Sequence, residues 1–259
     1  MMYDWKKIRK EYNKLGCPGD VYDPREIPFE SCRWIVLDSE RSIGKTTNIL
    51  LIGLIMNKLY DVQVQYIRET PDMLFPKNAG TLCDVISGQG YVQKLTDGRY
   101  TGMTYYHRKW YYCNYDEDFK VCEKSEPVIS CLDINENLTY KSGYNAPKGD
   151  FIVFDEFISN KYRLGEFVDF CDLVKTIGRD REDLTIVLLG NSTDLFHPIF
   201  EELECQDLIQ SMTFGEHLQY RTSGGTDIYL ELCGNMNPKR KKINQLFFGF
   251  KNPRLASIT

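Results

Sequence analysis

The stretch that most constrains this chain runs from Arg33 to Met56, where a strand pattern gives way to a helix pattern across one short polar turn. Trp34-Ile35-Val36-Leu37 is an unbroken apolar run of the kind that forms a strand buried in a parallel sheet. Asp38 to Ile43 make the turn, Gly44-Lys45-Thr46-Thr47 follow, and Ile49, Leu50, Leu51, Ile52, Leu54, Ile55 and Met56 read as a long apolar helix. Strand, turn, Gly-Lys-Thr and helix, in that order, is the context of a phosphate-binding loop. Its backbone N–H groups and the helix N-terminus cradle phosphates, the lysine reaches the β and γ oxygens, and the threonine hydroxyl ligates Mg2+. The candidate nucleotide-binding residues are therefore Ser39, Arg41, Ser42, Ile43, Gly44, Lys45, Thr46 and Thr47, with ATP and Mg2+ as the expected ligands. The motif G-x-x-x-x-G-K-[ST] asks for glycine at position 39, where this chain has Ser39. Serine can make the turn if its φ stays negative.

A phosphate-binding loop needs acids to hold the metal and prepare the water, and Asp150-Phe-Ile-Val-Phe-Asp155-Glu156-Phe157 supplies them. Four apolar residues ending in Asp-Glu form a strand that presents Asp155 to Mg2+, beside Thr46, and Glu156 to the attacking water. Asp150 reads as no more than the entry to that strand. A helical pattern from Leu164 to Ile177 places Phe167, Phe170, Leu173, Val174 and Ile177 on one face and ends in Gly178-Arg179-Asp180-Arg181-Glu182. Another buried strand, Leu184 to Leu189, runs into Gly190-Asn191. Asn191 is either a sensor of the water and γ-phosphate or a turn-forming asparagine. Arg179 and Arg181 are either helix C-terminal charges or fingers that reach a neighbouring subunit's nucleotide.

With 259 residues, 42% of them hydrophobic, the chain can bury the core of one large domain, or of one domain plus a small appendage. A net charge of −5 gives no global nucleic-acid footprint, so any contact with DNA must be a local basic surface. Nine scattered cysteines, no C-x-x-C and three histidines argue for reduced cytosolic thiols over a disulfide framework or a zinc site. No signal peptide and no apolar run long enough to span a bilayer is present, so no membrane partner is expected.

The flanking segments are less decisive. Trp5, Ile8, Tyr12 and Leu15 share one face of a charged N-terminal helix. Tyr22 or Phe29, in the irregular stretch that follows, could stack on a base, although ordinary packing is the commoner role for any one aromatic. Asp61 to Arg68 alternates like a strand, and Arg68 at its end is a candidate phosphate or subunit contact, or a solvated arginine. Residues 72–148 read as one or more inserted β-hairpins. There His107, Arg108 and Lys109 suggest nucleic-acid stacking less strongly than aromatic packing across a hairpin. The tail holds a turn at Ser223-Gly-Gly225, a strand, the basic run Lys239 to Lys242 and an aromatic strand.

The segments R-S-I-G-K-T, I-V-F-D-E-F-I, G-R-D-R-E and I-V-L-L-G-N-S, in this order, resemble the DNA-packaging ATPases of small podophages with protein-primed genomes, in the terminase-like branch of the P-loop motors. The resemblance covers Arg33 to Phe200 and continues more weakly through Ile228–Leu232 and Gln245–Phe250. It implies an α/β fold of the additional-strand, catalytic-glutamate (ASCE) class: a mostly parallel sheet flanked by helices, with inserted hairpins and a small C-terminal linker subdomain. ATP hydrolysis with Mg2+ would drive double-stranded DNA into a procapsid. It further implies a homo-oligomeric ring, a pentamer, docked on the portal in the host bacterial cytoplasm, with a packaging RNA as a further partner to test for. Arg179 matches the trans-acting finger, Arg181 accompanies it, Asn191 falls in the coupling motif, and Lys141, in K-S-G-Y before the Asp155-Glu156 strand, matches a lysine that could also act on a neighbour. Family members carry glycine where this chain has Ser39 and Ser42. The implied division is an ATPase domain at 1–204 and the linker at 205–259, with the family's nuclease-like domain expected to be absent. Rival readings are another ring-forming DNA translocase, a terminase that also cuts DNA, and a non-catalytic nucleotide switch. Retention of Glu156 speaks against the switch.

Overall fold

The structure, a computed structural model, describes residues 3–40, 43–134, 148–158, 162–179, 181–191 and 195–234. In chain order its main elements are α1 (Trp5–Leu15), β1 (Trp34–Ser39), α2 (Lys45–Tyr60), β2 (Val64–Arg68), α3 (Pro76–Gly88) and α4 (Tyr91–Leu95). There follow β3 (Gly102–Tyr106), β4 (Lys109–Tyr115), β5 (Val121–Asp133), β6 (Phe151–Asp155), α5 (Glu166–Gly178) and β7 (Thr185–Leu189). The described chain closes with α6 (Ile199–Glu202), α7 (Gln206–Ser211), β8 (Glu216–Arg221) and β9 (Asp227–Cys233). The strands form one mixed sheet in the order β3-β4-β5-β2-β6-β7-β1-β9-β8. β1 runs parallel to both β7 and β9, and β2 parallel to β5, while the antiparallel pairs β3–β4, β4–β5 and β8–β9 lie toward the edges. This is the α/β fold with a mostly parallel sheet and flanking helices that the sequence implies.

Packing divides the chain into two units. The first comprises Met1–Cys17, Ile49–Val153 and Asp169–Leu184. There α1 buries Trp5, Ile8, Tyr12 and Leu15, Asp4 caps its start by accepting from the Lys7 N–H at 3.0 Å, and Gly16 ends it in the left-handed conformation. Gly53 of α2 allows close approach to the sheet: a Cβ there would sit 2.6 Å from Val64 Cγ2 and 3.0 Å from Phe151 Cδ1. α5 buries Phe170, Leu173, Val174 and Ile177, whereas Leu164, expected at its start, precedes it and is 92% exposed.

The expected hairpins are present. The β3–β4 turn uses His107 and Arg108, both at positive φ, as a two-residue hairpin turn requires. β5 then pairs parallel with β2, so the insertion lengthens the main sheet. The same stretch also holds two helices, α3 and α4, where the sequence reads as hairpins alone. α3 buries only Ala79, Cys83 and Ile86 and carries Gly80, Asn78 and Pro76, too weak a helical signal to outweigh the strand formers around it.

The second unit comprises Pro18–Asn48, Phe154–Val168 and Thr185–Thr259. It holds β1 between β7 and β9 and so carries the phosphate-loop strand at its centre. Within the stretch 205–259, expected as a linker, β8 and β9 join the same sheet as β1. Arg41, Ser42, Lys141, Lys239 to Lys242 and Gln245 to Phe250 lie outside the described residues. None of the nine cysteines, all among the described residues, is joined in a disulfide.

Candidate nucleotide-binding site

The loop between β1 and α2 is built from local geometry. β1 ends at Ser39, which is fully buried and does not take a positive φ, so serine meets the backbone requirement at this position. Gly44 takes φ +88, and a Cβ there would also lie 3.2 Å from Val21 Cβ, so glycine is needed on both counts. The Asn48 side chain and backbone N–H both donate to the Gly44 carbonyl, at 3.0 and 3.1 Å. From the other side, the Tyr22 N–H donates to Ile43 O at 2.8 Å. The Tyr22 hydroxyl donates to Glu231 Oε2 at 2.8 Å, an oxygen that also accepts from Tyr229 at 3.0 Å. This clasp between the entry segment and β9 had no signal in the sequence. Tyr22 and Phe29 are both buried, so each packs in the protein and neither offers a face for base stacking.

Lys45 opens α2 with 5% of its surface exposed, and its ammonium donates to Ser39 Oγ and to the Gly190 carbonyl. Burial pulls its pKa down, while Cys233 and the carboxylates of Asp38, Asp155 and Glu231 favour the charged form. The next residue, Thr46, donates from its hydroxyl to Asp155 Oδ1 at 3.1 Å. Asp155 closes β6, and Glu156 follows at φ +56, a left-handed turn that redirects the chain so that the Phe157 N–H donates to Leu189 O at 3.3 Å. Phe157 then packs on Phe154 and Phe200, anchoring the turn that carries the acid pair.

Gly190 brings the end of β7 onto β1: its N–H donates to Leu37 O at 2.8 Å, and a Cβ would meet Asp38 Oδ1 and Ile158 Cδ1 at 2.7 Å each. Asn191 follows directly. Together Glu40, Ile43, Gly44, Lys45, Thr46, Thr47, Asp155, Glu156 and Asn191 line one cavity of about 270 Å³. The donor set fits a magnesium nucleotide. Thr46 and Asp155 offer adjacent hard oxygens, the start of α2 offers backbone N–H groups without intrahelical partners, and Lys45 offers the cation. No group of three or more His, Cys, Asp and Glu side chains among the described residues is arranged to hold a metal ion.

Arg179 and Arg181 belong to the first unit and are not part of the cavity lining. Arg179 is exposed and ends α5 at φ +49, its N–H donating to Lys175 O at 2.7 Å. Arg181 is half-buried: Nη2 donates to Ile177 O at 2.5 Å, and Nε lies 3.0 Å from the Asp150 carboxylate, which also accepts from the Tyr3 hydroxyl. Asp150 is therefore an anchor for two side chains as well as a strand entry. A wider cleft of about 920 Å³ surrounds this anchor, but it contains none of the phosphate-loop or Asp-Glu residues. Arg68 donates to the Tyr66 hydroxyl at 3.1 Å, and Arg108 pairs with the fully buried Asp133 at 3.2 Å. No helix among the described residues is long and apolar enough to cross a membrane.

No protein-family model and no curated protein matches the sequence. Among solved structures, the chain is similar to the N-terminal domain of the DNA packaging ATPase from bacteriophage phi29, with a TM-score of 0.59 and 20% identity over 83% of this chain and 96% of that one. It is similar to the Phi-28 gp11 DNA packaging motor, with a TM-score of 0.62 and 17% identity over 93% of this chain and 68% of that one. It is also similar to the large terminase ATPase domain of Thermus phage P74-26, with a TM-score of 0.53 and 13% identity over 96% and 95% of the two chains. At these identities the likeness is one of fold.

Proposed function

We propose that this chain is a packaging motor of the protein-primed podophage kind, hydrolysing ATP to drive double-stranded DNA into a procapsid. The observation that carries the reading is the contact of Thr46 with Asp155, beside Glu156 and Lys45, in one cavity of a fold shared with packaging ATPases. Lys45 binds the β and γ phosphates, and Thr46 and Asp155 hold Mg2+, which when bound neutralises charge developing on the phosphate oxygens. Glu156 orients the attacking water and accepts its proton. Asn191, on the same cavity wall, hydrogen-bonds the water or the γ-phosphate and relays its state to the chain that follows.

Arg179 serves as the finger that enters a neighbour's site, with Arg181 and Lys141 as accompanying trans-acting residues. A site completed by the next subunit requires a heterologous, ring-closing interface, for which a pentamer is the family's form. The ring docks on the portal of the procapsid in the host bacterial cytoplasm, with a packaging RNA as a further partner. Residues 205–259 act as the linker of the motor.

ATP turnover with and without duplex DNA tests the reading. Glu156→Gln is expected to keep nucleotide binding and to lose turnover by several orders of magnitude. Near-normal hydrolysis in that variant, or hydrolysis indifferent to DNA, would overturn it.

A further inference from the structure

We propose that Ser39 competes with bound nucleotide for the Lys45 ammonium, so that phosphate must displace the lysine from the Ser39 hydroxyl. This rests on the nucleotide reading of the site. The motif's usual glycine at position 39 has no side chain to offer, so the competition is a property of this chain and not of phosphate loops in general.

The geometry sets the order of events. An ammonium has three N–H donors, and two are already used, on Ser39 Oγ and on the Gly190 carbonyl. A lysine that spans the β and γ phosphates needs two donors for them, so one protein acceptor must be given up. Gly190 O belongs to backbone held at the end of β7, where the Gly190 N–H is bonded to Leu37 O. Ser39 Oγ is a rotor. It already donates to Glu40 O at 2.5 Å, so it keeps a partner when the lysine leaves. The hydroxyl is therefore the acceptor that yields. Burial compounds its effect: Lys45 is almost entirely enclosed, so losing an acceptor there is not made good by water.

Removing the hydroxyl should then tighten nucleotide binding, because the lost Lys45 contact belongs only to the competing arrangement, whereas the lost bond to Glu40 O falls on both states alike. Ser39→Ala is expected to bind Mg-ATP about tenfold more tightly, the range of one hydrogen bond to a charged group. Ser39→Gly, which restores the usual motif residue, is expected to tighten in the same direction. Calorimetry on the full chain reads both, and a general packing defect would not give tighter binding. Variants that bind Mg-ATP no more tightly than the parent would overturn the competition while leaving the nucleotide reading in place. A parent chain that binds no Mg-ATP would overturn the nucleotide reading itself, and the competition with it.

Discussion

The Thr46 hydroxyl donates to the Asp155 carboxylate across 3.1 Å, joining residues 109 positions apart in the chain. It brings the first residues of α2 and the last residue of β6 to one point. Both partners are hard oxygen ligands, and Mg2+ prefers such oxygens in strict geometry. Asp155→Asn is expected to raise the Mg2+ concentration needed for half-maximal ATP turnover at least about tenfold, in line with the loss of a ligand charge at a metal site. Turnover against Mg2+ concentration checks this. An unchanged half-saturation point would remove Asp155 from the metal.

Arg179 ends α5 in the left-handed conformation with an exposed side chain, a position compatible with reaching another subunit. Arg179→Ala should bind ATP normally and hydrolyse it slowly, by about three or more orders of magnitude if the finger is worth what such arginines usually are. Mixing it with Glu156→Gln protein should restore part of the activity, since mixed rings contain interfaces where an intact Glu156 meets an intact Arg179. A mixture as inactive as its parts, under conditions where mixed rings form, would leave Arg179 as a helix-terminal charge.

Gly190 is confined by Asp38 and Ile158, both buried, at distances no Cβ tolerates. Gly190→Ala is expected to destabilise the protein by about 1–3 kcal/mol, the range for overpacking a filled core. Chemical denaturation measures it. A variant within experimental error of the parent would mean that β1 and β7 can separate there at no cost.

Alkaline pH should be destabilising in a defined window. Burial raises the thiol pKa of Cys131 and Cys233 well above the usual 9.0 and pushes Cys205 up to about 11. These groups bind protons more tightly folded than unfolded, so their contribution is complete below the ordinary thiol value and is lost as pH rises from there toward the folded values. Buried Tyr22 and Tyr112 act in the same direction above the ordinary tyrosine value of 10.0. Burial of Lys45 acts oppositely, but it is one group against several. The denaturant midpoint should hold steady between pH 7 and 8 and fall at pH 10.5, and a Cys131→Ala, Cys205→Ala double variant should fall less steeply. A midpoint that is flat through pH 10.5 would contradict the assignment.

What the sequence determined by itself was local. An apolar run that stops at Asp38, a glycine at a position of φ +88, and a helix with every side apolar specify strand, loop and buried helix without help from distant residues. The run ending at Asp155-Glu156 and the single stripe of α1 were legible for the same reason: hydrophobic period and charge are carried within a few turns or residues. α3 was not legible, because its helix rests on packing against β3 and on few apolar positions. What only the tertiary structure decided was pairing. Nothing near β9 in the sequence places it beside β1, and nothing near Tyr22 points to Glu231. Gly190 reads as an ordinary turn glycine until Asp38 and Ile158 close around it, and Ser39 reads as a tolerated substitution until Lys45 is seen bonded to it. Such contacts form only when the sheet brings distant strands together, so their energy is spread over the whole fold and leaves little trace in any one stretch of sequence.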